Sequence, residues 1–90
     1  MKTATAIVTN QYGLHARPSA IISKRVREFE GTKITLSLNG NTVDAEDLMG
    51  VLTLGAEKKD HIVVTAEGKD EEAACAAIAA LIAMDFEFER

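Results

Sequence analysis

Ninety residues with a formal net charge of −4 and 47% hydrophobic residues describe one small acidic domain with a modest core, and argue against a nucleic-acid binder. The single cysteine, Cys75, excludes an internal disulfide and suits a reducing cytoplasm, and two histidines in no clustered spacing argue against a metal site. No apolar run reaches membrane-spanning length, the alanine-rich stretch 73–84 included, and the first residues lack the apolar run of a signal peptide.

In chain order, Thr3 to Thr9 alternates. Ala4, Ala6 and Val8 face a core, Thr3, Thr5 and Thr9 face away, and Ile7 interrupts the pattern mildly. The loop Asn10-Gln11-Tyr12-Gly13 leads into Gly13-Leu14-His15-Ala16-Arg17-Pro18-Ser19-Ala20. Gly13 permits a tight or positive-φ turn, and Pro18, the only proline, is tolerable only in a first helical turn. A helix therefore starts near His15 or Ala16. Its first-turn amides at Ala16 and Arg17 and its dipole favour an anion, and the Arg17 guanidinium adds a fixed forked cation suited to a phosphoryl group. A free imidazole titrates near about 6.5, so His15 is expected to be largely neutral and nucleophilic at cellular pH. A nucleophilic imidazole beside a phosphate cradle reads as a site that takes up a phosphoryl group covalently. The blander reading is a solvated loop histidine beside a helix cap; the Gly, Arg and Pro around His15 favour the phosphoryl site.

The helix runs from about Ala16 to Phe29, burying Ile22, Val26 and Phe29, with Gly31 as its C-cap. Ala20, Lys24 and Arg27 share another face, which begins beside His15. Between Leu14 and Arg27 four basic residues (Arg17, Lys24, Arg25, Arg27) meet no acidic one, a basic patch that reads either as steering toward an acidic partner or as a solvated helix face. Lys33 to Leu38 is a strand with Ile34, Leu36 and Leu38 inward. Asn39-Gly40 then turns the chain back, so Thr42 and Val43 return antiparallel. Asp44 to Leu52 reads as a short helix capped by Asp44 or Asp47. His61 to Glu67 is the last strand, with Ile62, Val64 and Ala66 on one face and His61 on the open face as a surface histidine. Asp70 caps the final helix, Glu71 and Glu72 complement its dipole, and Ile78, Leu81 and Ile82 anchor it among alanines; Cys75 is a small packing residue. Phe86 and Phe88 follow. The order βαββαβα predicts an α+β fold in which helices cover one face of a mainly antiparallel sheet.

The stretch Gly13-Leu14-His15-Ala16-Arg17-Pro18-Ser19-Ala20 resembles the active-centre motif of the HPr family, the histidine-containing phosphocarriers of the bacterial phosphoenolpyruvate-dependent sugar phosphotransferase system. Asp47-Leu48-Met49-Gly50-Val51-Leu52-Thr53-Leu54-Gly55 resembles the family's other signature, and spacing, element order and length also match, so the likeness covers essentially the whole chain, residues 1–90. The resemblance implies an open-faced β-sandwich of four antiparallel strands with three helices on one face, needing no cofactor or metal. It further implies that His15 accepts a phosphoryl group on Nδ1 from enzyme I and passes it to a IIA domain in sugar uptake, with Arg17 and the first-turn amide of Ala16 compensating charge. Such a chain is a carrier component rather than a stand-alone enzyme, and a cytoplasmic monomer. Enzyme I, IIA domains and regulatory proteins are the implied partners, without nucleic acid or membrane insertion, and Ala20, Lys24, Arg27, Leu48, Met49 and Leu52 the implied docking residues. From the residues alone, Leu48, Met49 and Leu52 read equally as core.

Asp47 departs from the pattern: many members carry a serine there, which a regulatory kinase phosphorylates to weaken partner binding. An aspartate holds one permanent charge and cannot be switched that way, so this regulatory position reads as a plain N-cap or as a fixed charge that tunes docking. Two rival readings stay open. One is a carrier of the nitrogen-regulatory phosphotransferase branch with the same fold. The other is a small ligand-binding regulatory domain, which leaves Gly13-Leu14-His15-Ala16-Arg17-Pro18 unexplained.

Overall fold

Alternation of apolar and polar side chains builds the sheet. The computed structural model describes residues 1–9, 13–14 and 16–84. Its elements run β1 (Lys2–Ile7), α1 (Ala16–Val26), β2 (Thr32–Leu38), β3 (Asn41–Asp44), α2 (Leu48–Thr53), β4 (His61–Gly68) and α3 (Glu71–Ala83), the order expected from sequence. The four strands form one antiparallel sheet ordered β1-β4-β2-β3. Its register lines up the apolar positions across the strands: Ala4 opposite Val64, Leu36 opposite Val64 and Val43, Ile34 opposite Ala66. Ile34, Leu36, Ile62, Val64 and Ala66 are fully buried on that face. Each such aliphatic side chain removed from water contributes about 1.5–3 kcal/mol before the entropy of ordering it.

The other face is left open and polar. Thr3, Thr65, Thr35 and Asp44 make one row across it, and Thr5, Val63, Ser37 and Thr42 the next. Ile7 pairs with His61 at its edge, both exposed, which accounts for the interruption in the β1 pattern. At the Asn39-Gly40 turn both residues have positive φ, as a two-residue hairpin requires.

Helix α3 crosses β1, β4 and β2, burying Ala74, Cys75, Ile78 and Ile82, while α1 packs beside α3 and α2. Leu81 is half-buried against the same core. Burial pushes the Cys75 thiol pKa up, which keeps it in the inert protonated form. Helix α1 turns Pro18, Ser19, Ile22, Ser23 and Val26 inward. Its two buried hydroxyls are satisfied, Ser19 donating to the Leu14 carbonyl at 3.3 Å and Ser23 to the Glu46 carbonyl at 2.9 Å.

The helix ends differ most from the sequence reading. Helix α1 stops at Val26, not Phe29, because the amides of Glu28 and Phe29 bond back only three residues, to Arg25 and Val26, tightening the chain into a turn. Phe29 still packs on the core from that turn, under the Arg25 guanidinium. Gly31 (φ +83) therefore lies beyond the helix end and does not cap it directly. Helix α2 begins at Leu48, not Asp44; the intervening residues form a turn in which the Glu46 amide donates to Asp44 Oδ1. Asp70 stands at the N-cap of α3 but makes no capping bond. Instead Glu71 Oε1 accepts the Gly68 amide at 3.1 Å, an orientation that leaves the first-turn acids beside the positive end of the dipole. Phe86 and Phe88 lie outside the described residues.

Candidate functional site

The chain entering α1 is fixed from behind by backbone. Gly13 has φ +73, and a Cβ there would lie 2.3 Å from the Ala56 carbonyl oxygen, so only glycine fits. That same oxygen accepts the Leu14 amide at 3.0 Å, and the Leu14 side chain is buried in the core. Pro18, fully buried, closes the first turn of the helix from the inside. His15 and the loop residues Asn10, Gln11 and Tyr12 lie outside the described residues. Ala16 and Arg17 are described: they open α1, and both are exposed. Because α1 starts at Ala16, its leading N–H groups have no acceptor within the helix, and the helix dipole adds positive potential where Arg17 stands.

The outward side of α1 carries Ala20 and Lys24, and Arg27, expected on the same helix face, follows in the turn just beyond the helix end; all three are exposed. Ile21 is also exposed there, at 36%, a side chain that sequence reasoning missed. The signal was available: the buried stripe at Ile22 and Val26 leaves Ile21 on the turn between Arg17 and Lys24. Glu46 joins this helix to the next. Its carbonyl accepts Ser23 Oγ, and its carboxylate stands 3.7 Å from Arg27 Nε. Held beside α1 in this way, α2 buries Val51, half-buries Leu48 and Leu52, and leaves Met49 66% exposed. The apolar cluster is thus divided, with Val51 as core and Met49 as surface. Lys24 is an exposed cation with no ion pair among the described residues, whereas Arg27 is partly compensated by Glu46.

Asp47 occupies the N-cap of α2 in extended conformation, yet its side chain makes no capping hydrogen bond, correcting the simplest reading of that residue. Its carboxylate lies over Gly50, where an added Cβ would be 3.0 Å from Oδ2. Asp47→Ala is therefore expected to change stability by less than about 0.5 kcal/mol, against roughly 1 kcal/mol for a working cap. Urea denaturation measures this, and a loss near the larger figure would restore the capping role. His61 is exposed on the open sheet face, across the sheet from α1. Among the described residues no three His, Cys, Asp or Glu groups are placed to hold a metal ion, and no helix is long and apolar enough to cross a membrane.

The family model for the phosphotransferase-system HPr component phosphorylation site matches residues 2–84. Phosphocarrier protein HPr of Mycoplasma pneumoniae is 34% identical over 91% of this chain and 93% of its own length. The multiphosphoryl transfer protein of Vibrio cholerae is 39% identical over 89% of this chain, a match that spans 20% of that longer protein. Among solved structures, HPr-C-His from Thermoanaerobacter tengcongensis superposes with a TM-score of 0.89 at 34% identity, with both chains covered in full.

Proposed function

This chain belongs to the HPr family of phosphotransferase-system phosphocarriers, and from that premise we propose that His15 is its phosphoryl acceptor and that it shuttles the group from enzyme I to IIA domains in sugar uptake, as a cytoplasmic monomer. The observation that carries the reading is the position of His15 in the chain. It falls between Leu14, whose amide is pinned to Ala56, and the first turn of α1, whose dipole and Arg17 favour an anion. In the transfer, the lone pair of the His15 Nδ1 attacks phosphorus. The P–N bond to the donor histidine of enzyme I breaks, its electron pair returning to the donor ring, and the reverse steps deliver the group onward. Arg17 and the amide of Ala16 compensate the oxygens' charge. A carrier requires near-balanced transfer both ways, so one guanidinium and a helix end suit it better than a deep phosphate pocket.

The docking surface in this reading is the outward side of α1 and the turn after it, with α2: Ala20, Lys24 and Arg27 beside Leu48, Met49 and Leu52. Met49 is adaptable, which suits one surface that serves several partners. Asp47 places a fixed negative charge at its margin where a serine would be switchable. The test is incubation with enzyme I and phosphoenolpyruvate, read by intact mass. One acid-labile, alkali-stable phosphoryl group is expected, as befits a phosphoramidate; an acid-stable adduct would overturn the assignment.

Electrostatic steering gives a second, graded result. Lys24→Glu is expected to slow association with enzyme I about tenfold at low salt, and the difference should shrink as ionic strength shortens the screening length to about 8 Å. Arg27→Glu should have a smaller effect, because its charge is already partly met by Glu46. Stopped-flow transfer at several salt concentrations measures both. Salt-independent rates for both variants would remove the steering.

A further inference from the structure

One turn grips the chain at two points before His15, at Val8 and at Leu14. On the entering side, the Val8 amide donates to the Asp60 carbonyl at 2.9 Å, and the Lys59 amide donates to the Val8 carbonyl at 2.7 Å. On the leaving side, the Leu14 amide donates to the Ala56 carbonyl at 3.0 Å. Val8, Leu14 and Ala56 are all buried, so none of these bonds exchanges freely with water. The turn 56–60 is thus a clamp, and its second grip, Leu14, is the residue before the proposed acceptor.

The clamp is closed by one side chain. Asp60 Oδ2 accepts the Glu57 amide at 2.8 Å, while the Asp60 amide bonds the Glu57 carbonyl at 2.9 Å, so the turn is tied twice at the same pair of residues. Inside it Lys59 has φ +79, a left-handed conformation that a non-glycine residue keeps only when its surroundings impose it. With the Asp60–Glu57 side-chain bond removed, Lys59 is free to relax toward negative φ. Relaxation would swing the amide that grips Val8 and shift the Ala56 carbonyl that grips Leu14.

We propose that Asp60 is a positioning residue for phosphoryl transfer, acting through the 56–60 turn to hold Leu14, the residue before His15. The transfer part of this inference rests on the carrier reading above. What matters at Asp60 is the acceptor oxygen rather than the charge, which separates this role from steering or from repulsion of a phosphoryl group.

The test uses Asp60→Ala and Asp60→Asn in the full chain, with amide hydrogen exchange and steady-state phosphorylation by enzyme I. In Asp60→Ala, Leu14 amide exchange is expected to quicken about tenfold while the Val64 amide in β4 is unchanged, marking a local rather than a global opening. Phosphorylation turnover should fall about tenfold with little change in KM for enzyme I, because the groups on α1 and α2 are untouched while the reacting atom is misplaced. Asp60→Asn keeps an acceptor oxygen and should restore both readouts to within about twofold. Unchanged Leu14 exchange in Asp60→Ala overturns the clamp, and so does an Asn variant that behaves like Ala. If the wild-type chain accepts no phosphoryl group, the carrier reading fails and the transfer role falls with it, whereas the exchange result still decides whether Asp60 holds the turn.

Discussion

His15→Ala is expected to gain no phosphoryl group from enzyme I and phosphoenolpyruvate while unfolding in a cooperative transition like that of the wild type. The loss should be complete because, among the described residues, the candidates that could take over are buried and committed or stand elsewhere. Ser19 is fully buried with its hydroxyl committed to the Leu14 carbonyl, and Ser23 is buried with its own committed to Glu46. The other histidine, His61, stands on the open face of the sheet, away from the helical layer. Folding should persist, because the substitution leaves the aliphatic core of Ile22, Ile34, Leu36, Ile62 and Ile78 intact. His61→Ala is the matched control and should be phosphorylated at the wild-type rate. Residual phosphorylation of His15→Ala, or its loss in His61→Ala, would move the acceptor elsewhere.

Much of this architecture was legible because it is written in local periodicity. The alternation through Ile34, Leu36 and Leu38 and through Ile62, Val64 and Ala66 put those side chains inward, and the structure buries them all. Asn39-Gly40 marked the hairpin, and both residues take the positive φ that it needs. What sequence reading missed depends on contacts between distant residues or on a choice between near-equal local bonds. Asp47 and Asp70 have the chemistry of caps, yet one carboxylate lies over Gly50, and near the other Glu71 takes the neighbouring Gly68 amide. Competition of this kind between adjacent acceptors is decided by turn geometry, which residue type alone does not specify. Apolar spacing alone carries α1 past its end, because Phe29 continues the spacing even though its backbone has already left the helix. At the site, the motif marked the helix start, which the structure places at Ala16, but the support behind it was invisible. Ala56 and Asp60 reach Leu14 and Val8 through main-chain atoms, and main-chain contacts leave no signature in side-chain pattern.

The largest stability effect near the site is expected at Gly13, and it should be separable into two parts. Gly13→Ala places an L-residue at φ +73, which costs about 1–2 kcal/mol wherever it occurs. The new Cβ would also lie 2.3 Å from the Ala56 oxygen and 3.0 Å from Glu57 Cα. Those are backbone atoms, so no side chain can swing aside. If the Ala56 carbonyl retreats it abandons the buried Leu14 amide, and an unsatisfied buried donor costs about 1–3 kcal/mol. Gly40 supplies the reference: its φ of +85 is similar, but a Cβ there meets nothing within 4 Å. Gly40→Ala should therefore show the conformational cost alone, and Gly13→Ala that cost plus roughly 1–3 kcal/mol for the clash. Urea midpoints at equal slopes give the difference directly. Phosphorylation should divide the pair as well, since Gly13→Ala displaces Leu14 next to the acceptor while Gly40 lies in the hairpin between β2 and β3. Equal destabilisation of the two variants would mean that the 56–57 backbone yields freely. The chain before His15 would then not be held in the way that its transfer geometry requires.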